Sequence, residues 1–213
     1  MFLGLIQPDV ALTDLILCLE ALFLAFLLYR ERNHHSLRYA SLLFFISFAL
    51  SSFLGVIVHG FFPTPDSIWN AIFWTVTLLA VGLISFFSWI IVIDLLVPQY
   101  RKVLVAMACL EFLGYSLYIL FIDHPFKVAI YNYVPSTLFL LIAFGFLYVR
   151  GKKSALFGFF GLLLSLIASW IQQAKIAIHP IYFNHNALYH VLEAIALFLV
   201  FLTLRDLLRK QLP

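Results

Sequence analysis

The stretch Asn184-His185-Asn186-Ala187-Leu188-Tyr189-His190-Val191-Leu192-Glu193 opens the last of seven apolar segments. It sets two imidazoles, two amides and a carboxylate where lipid-facing residues would normally stand. Ionisable groups at membrane depth are costly, so they usually face the interior of a bundle and serve a site. Read from this stretch outward, the chain is an all-α membrane protein, a seven-helix bundle whose polar residues must find one another.

Composition agrees. The chain of 213 residues is 64% hydrophobic and 11% charged, against about 45–50% and about 25% in soluble domains. Seven runs approach or exceed the roughly 20 residues needed to span a bilayer. They cover about 10–29, 37–60, 68–97, 102–122, 126–149, 154–176 and 186–207, and together make one transmembrane domain, 1–213. The expected setting is multi-pass, in a plasma or bacterial inner membrane. The first run lacks a basic leader and a cleavage site, so it is expected to remain as a helix. Cys18 and Cys109 sit in different segments and suggest no disulfide. The net charge of +3 comes from short connections. It bears on topology rather than on nucleic acid, for which no partner role is expected.

Arg30, Arg32 and Arg38 follow segment one, Arg101 and Lys102 follow segment three, and Arg150, Lys152 and Lys153 follow segment five. Arg205, Arg209 and Lys210 close the chain, and His34 and His35 fall on the same basic, solvated side. The opposite connections hold Asp9, Asp66, Asp123, Lys127 and Lys175. The positive-inside rule then puts the N-terminus outside and the C-terminus in the cytoplasm.

With that orientation, each polar residue acquires a depth. Asp14 lies near the outer surface and Glu20 about 9 Å deeper, at 1.5 Å per residue. Ser52, Gly55 and His59 are spaced by three and four, on one helix face. Asn70 begins segment three, Glu111 sits at mid-depth in segment four, and Asn186, His190 and Glu193 share a face of segment seven. His185 is five residues from His190, about 140° around an ideal helix. Most of these groups fall in the outer half, and Asp94 is the main exception. The expectation is a polar chamber open to the outside above a packed, dry inner half.

His59 and His190 lie at matching depth and, with His185, form a candidate zinc ligand set. Zinc takes three or four nitrogen, sulfur or oxygen donors. Glu193 can be ligand, orienting partner or general base.

These residues resemble the seven-helix membrane superfamily of alkaline ceramidases and progestin and adipoQ receptors. Its members bind zinc through a histidine on helix two and an HxxxH pair opening helix seven. A serine precedes the helix-two histidine by four residues, and an aspartate begins helix three. Here His59 ends segment two and Asn186-Ala187-Leu188-Tyr189-His190 opens segment seven. Asn186 stands at the first histidine of the pair, Gly55 at the serine and Asn70 nearest the aspartate. The resemblance implies a zinc-dependent membrane hydrolase acting on a lipid amide or ester. His59, His190 and His185 would hold the metal, Glu193 or Asp14 would act as base, and Ser52 and Asn70 would assist the oxyanion. The bilayer lipid would be both solvent and possible substrate.

Three other readings stay open: a non-enzymatic sensor or small-molecule-binding protein using the same chamber, a proton-coupled carrier using Glu20 and Glu111, and haem ligation by a histidine pair. Oligomeric state is not legible in the sequence.

Overall fold

The computed structural model describes residues 4–31, 36–122 and 125–210. Arg32, His34, His35 and Asp123, and the side chain of Lys210, lie outside the described residues. The chain is all-helical, with no strand among the described residues. The helices are α1 (Pro8–Tyr29), α2 (Ser36–Phe61), α3 (Ile68–Leu96), α4 (Arg101–Phe121), α5 (Phe126–Val149), α6 (Ala155–Gln173) and α7 (His185–Lys210), and a single 3-10 turn (Pro98–Tyr100) joins α3 to α4. All seven are long and apolar enough to cross a membrane. A helix satisfies every backbone group within its own segment, which lipid demands.

The helix bounds follow the apolar runs, with one instructive difference. The run through Ile176 suggests a longer sixth helix, but α6 ends at Gln173. Lys175 takes a left-handed backbone, φ 55°, and the Ile176 N–H reaches back to the Ile171 carbonyl at 3.1 Å. This is a helix-terminating turn of the kind usually built on glycine.

Helix neighbours define the architecture. α1 packs on α2, α2 on α3, α3 on α5, α5 on α6, α6 on α7, and α7 returns to α1. Six helices therefore close a ring, and α4 lies outside it against α3. Only Ala108, Tyr115 and Ile119 of α4 are buried. α6 and α7 meet closely because Gly161 has no side chain: a Cβ there would lie 2.7 Å from the Ala196 carbonyl oxygen. Small residues at such crossings let backbones approach in lipid, where burial alone drives little association.

The two halves of the ring differ. Toward the end where α2 begins and α1 finishes, an apolar core runs through Leu24, Leu28, Leu37, Phe45, Ile91, Phe144, Phe201, Leu204 and Leu208. Its rim is tied by ions: Glu31 accepts from Arg205 Nε at 2.9 Å and Arg209 Nε at 3.0 Å, and Asp94 pairs with Arg101 at 2.9 Å. Arg38 donates to the carbonyls of Leu28 and Tyr29 at the end of α1. The polar residues gather toward the other end.

Candidate functional site

α2 presents Ser52, Gly55 and His59 on one face, as their spacing requires. α7 presents Asn186, His190 and Glu193. α1, lying between these helices in the ring, brings Asp14. All seven line one cavity of about 150 Å³. The same cavity continues past Leu17, Val81, Ile84 and Leu162 to Phe48 and Phe44. His59 and Phe44 are fifteen residues apart on α2, so the cavity runs about 20 Å along the bundle. Its His59 end is polar and its Phe44 end largely apolar. No Lys or Arg is among the described lining residues.

At the polar end each imidazole is held by its Nδ1. Gln7 Oε1 lies 2.9 Å from His59 Nδ1. An amide oxygen can only accept, so Nδ1–H donates and Nε2 keeps its lone pair. Thr13 Oγ1 lies 3.2 Å from His190 Nδ1. The single Thr13 hydroxyl hydrogen is directed to the carbonyls of Asp9 and Val10, both at 2.9 Å. Toward the ring, then, the oxygen accepts, and His190 Nε2 also keeps its lone pair. That nitrogen faces Asp14 Oδ1 at 3.3 Å. Two acceptors opposed at this distance need a proton or a cation between them. The other carboxylate oxygen, Asp14 Oδ2, is buried without a hydrogen-bond partner.

Gly55 explains how Asp14 gets there. A Cβ at Gly55 would lie 2.6 Å from Asp14 Oδ2 and 2.8 Å from its Cγ. The carboxylate fills the volume that any side chain at this position would need.

Deeper in the cavity, Glu193 Oε1 accepts from Ser165 Oγ at 2.7 Å. Ser169 donates to the Ser165 carbonyl at 2.8 Å and bonds the Tyr133 hydroxyl. At the mouth, Gln172 donates to Asn186 Oδ1 at 3.1 Å. Asn184 caps α7, its Oδ1 accepting from the N–H groups of Asn186 and Ala187 at 2.9 and 3.2 Å. Its own N–H donates to Asp9 at 3.2 Å. Beyond the mouth, a wider vestibule is lined by Gln7, Pro63, Pro65, Asn70, Trp74, Asn186 and His59.

Of the candidate residues, Asp14, Ser52, His59, Asn186, His190 and Glu193 thus meet in one chamber. Asn70 reaches only the vestibule, and its side chain donates to the Phe62 carbonyl at 2.6 Å. His185 lines neither cavity; as first residue of α7 it lies well around the helix from His190. Glu20 is half-buried on the side of α1 that carries the exposed Ile16 and Phe23. Glu111 sits on the peripheral α4, with Oε2 buried and unbonded. Gln7, Thr13, Tyr133 and Ser165 join the site without having stood out in the sequence.

For a metal, the donors fit in kind but are not gathered as a cage. The 3.3 Å between His190 Nε2 and Asp14 Oδ1 equals the separation of two ligands about 2.0–2.1 Å from one tetrahedral zinc. The His59 and His190 ring centroids are 6.4 Å apart, wider than the roughly 5 Å of two imidazoles on one such ion. Among the described residues, no group of three or more His, Cys, Asp or Glu could hold a metal ion.

Over residues 10–209 the chain matches the model of a family of unknown function, DUF6962. The match covers most of its length, and the chain belongs to that family. No curated protein matches it. No solved structure matches it either.

Proposed function

We propose that this DUF6962 family member is a non-enzymatic, small-molecule-binding membrane protein. Its ligand is an amphiphile whose polar head carries hydrogen-bond donors. The observation that carries this reading is the polarity of one continuous cavity. Acceptors collect at its mouth end: Nε2 of His59 and the unpartnered Asp14 Oδ2, beside the His190–Asp14 pair. Glu193 adds a carboxylate one turn deeper. With no Lys or Arg among the described lining residues, an anionic head has no counter-charge, whereas a hydroxyl, amide or amine supplies the hydrogens that these atoms lack. Below, Phe44, Phe48, Val81 and Ile84 offer an apolar path for a chain. Such a division, apolar walls with a few convergent polar groups, is what small-molecule sites share.

The mouth opens to the outside in this reading, with the C-terminus in the cytoplasm. Arg30, Arg38, Arg101, Lys102, Arg150, Lys152, Lys153, Arg205 and Arg209 support it, since alternating spans bring them all to the end opposite the chamber.

Native mass spectrometry of protein released from lipid nanodiscs tests the binding. The expected spectrum carries a bound long-chain amide or amine. The adduct is lost in Val81→Trp, which fills the chain path, and weakened in His190→Ala. Unchanged adducts in both variants would overturn the reading.

One observation favours a second reading, a metal-dependent hydrolase of lipid amides or esters. The opposed acceptors of His190 and Asp14 leave a place for a cation. Asp14, His190 and His59 would hold zinc there, with Thr13 and Gln7 orienting the rings, as partners of metal-bound imidazoles do. Bound zinc would supply a polarised carbonyl and an acidified water. Elemental analysis of the purified protein decides between the readings: about one zinc per chain, lost in Asp14→Ala, supports the hydrolase, and none removes it.

A further inference from the structure

The connection from α6 to α7, residues 174–184, reads Ala-Lys-Ile-Ala-Ile-His-Pro-Ile-Tyr-Phe-Asn. It is a built turn. His179 and Phe183 exchange backbone hydrogen bonds of 3.0 and 3.1 Å. His179 Nδ1 accepts from the N–H groups of Ile181 and Tyr182 at 3.2 and 3.1 Å, and its ring lies 4.8 Å from that of Tyr182. Part of the turn's backbone polarity is thus satisfied within the turn itself, while its apolar side chains stand exposed. Ile178 and Ile181 are each 72% exposed and Tyr182 76%, so nothing among the described residues covers them. Connections outside a membrane span are normally polar, because water is their solvent. This one has no Asp or Glu and a single basic residue, Lys175.

We infer that residues 176–182 are an interfacial anchor that inserts into the lipid–water boundary of the bilayer the helices span. Two features argue for lipid rather than for a partner protein. The apolar tip directly follows α6, whose last turns also expose large apolar side chains, Ile167 and Trp170. At the same end of the bundle, Phe61, Ile68 and Trp69 are also exposed, forming the aromatic and aliphatic belt that marks the boundary level. Ile with Tyr is the composition that such a boundary favours, an apolar body with a hydroxyl at the wet edge. The anchor leads through Asn184 into the α7 cap and the Asp9 contact, so it holds the rim of the chamber at the membrane surface.

The test uses the full chain in phosphatidylcholine vesicles. Cys18 and Cys109 are replaced by alanine, and a nitroxide is placed singly at 178, 181 or 182. Collision with oxygen and with a water-soluble nickel chelate is measured at each position. Ile167 on the lipid-facing side of α6 and Asp66 in the exposed α2–α3 connection serve as references. The expected oxygen-to-nickel ratio at 181 and 182 is several-fold above that at 66 and nearer that at 167. Ratios nearer that at 66 overturn the anchor and leave a water-exposed loop.

Discussion

Gly55→Ala should damage the site through Asp14 and not through α2. The new Cβ would lie 2.8 Å from Asp14 Cγ and 2.6 Å from Oδ2. Because the clash reaches Cγ, rotating the carboxylate plane does not relieve it. The whole group must swing about χ1 and leave His190 Nε2, now 3.3 Å from Oδ1. Overpacking of this kind costs about 1–3 kcal/mol, and an interhelical polar contact in a bilayer adds about 1 kcal/mol. The expected loss is therefore about 2–4 kcal/mol. Reversible unfolding in bicelles measures it. The decisive comparison adds Asp14→Ala, which empties the space the methyl group needs. Gly55→Ala in that background should cost at least about 1 kcal/mol less than in the parent, a coupling typical of residues in contact. If the two losses add within about 0.5 kcal/mol, as independent sites do, the proposed dependence of Gly55 on Asp14 is wrong.

Three further outcomes follow from packing and charge. Gly161→Ala forces a Cβ to 2.7 Å from the Ala196 carbonyl oxygen; backbone cannot yield as a side chain can, so bicelle unfolding should show a loss of about 1–3 kcal/mol. Asn184→Ala removes the α7 cap and should cost about 1 kcal/mol in the same assay, with Asn184→Gly costing only a few tenths. Burial pushes the Glu31 carboxyl up, but hydrogen bonds and charge from Arg205 and Arg209 outweigh it and hold it below its ordinary 4.5. A carboxyl lowered by folding stabilises the folded state above its unfolded pKa, and that contribution fades as pH falls through the folded value. Glu31→Gln should therefore lower stability at pH 7 by at most about 1 kcal/mol, since both arginines are partly solvated. The difference from the parent should start to shrink near pH 4.5 and vanish below the folded pKa; a difference that grows on acidification would contradict the sign.

What the sequence discloses and what it withholds divide along one line. Helix-local facts are legible. The Ser52, Gly55 and His59 face and the Asn186, His190 and Glu193 face follow from 3.6 residues per turn, and the structure sets both on one chamber. Facts that depend on which helix neighbours which are not. Asp14 meets His190 only because α1 and α7 adjoin when the ring closes, and no spacing within either segment encodes that. Gln7 and Thr13 are hidden for the same reason: each is an ordinary polar residue until an imidazole from another helix arrives. Glu20 could have been placed more sharply. Six residues separate it from Asp14, about 120° around the helix, so the two cannot both face the chamber.

Position and chemistry come apart most clearly around Gly55. The resemblance drawn from the sequence alone would place a serine there and an aspartate at the start of helix three. In this chain the nearest residue to that aspartate, Asn70, is occupied with the Phe62 carbonyl, and α2 carries no side chain at Gly55. What the structure places here is Asp14 of α1, whose carboxylate enters the space above Gly55 and turns toward His190. An acidic oxygen beside the imidazoles is thus present in volume though not in sequence register. Spacing along the chain cannot show such a contact, because the carboxylate and the space it fills lie on different helices. The chemistry of this end of the chamber turns on what lies between Asp14 Oδ1 and His190 Nε2. A proton there makes the pair a neutral anchor for a polar head; in the second reading Asp14 and His190, with His59, would hold the cation.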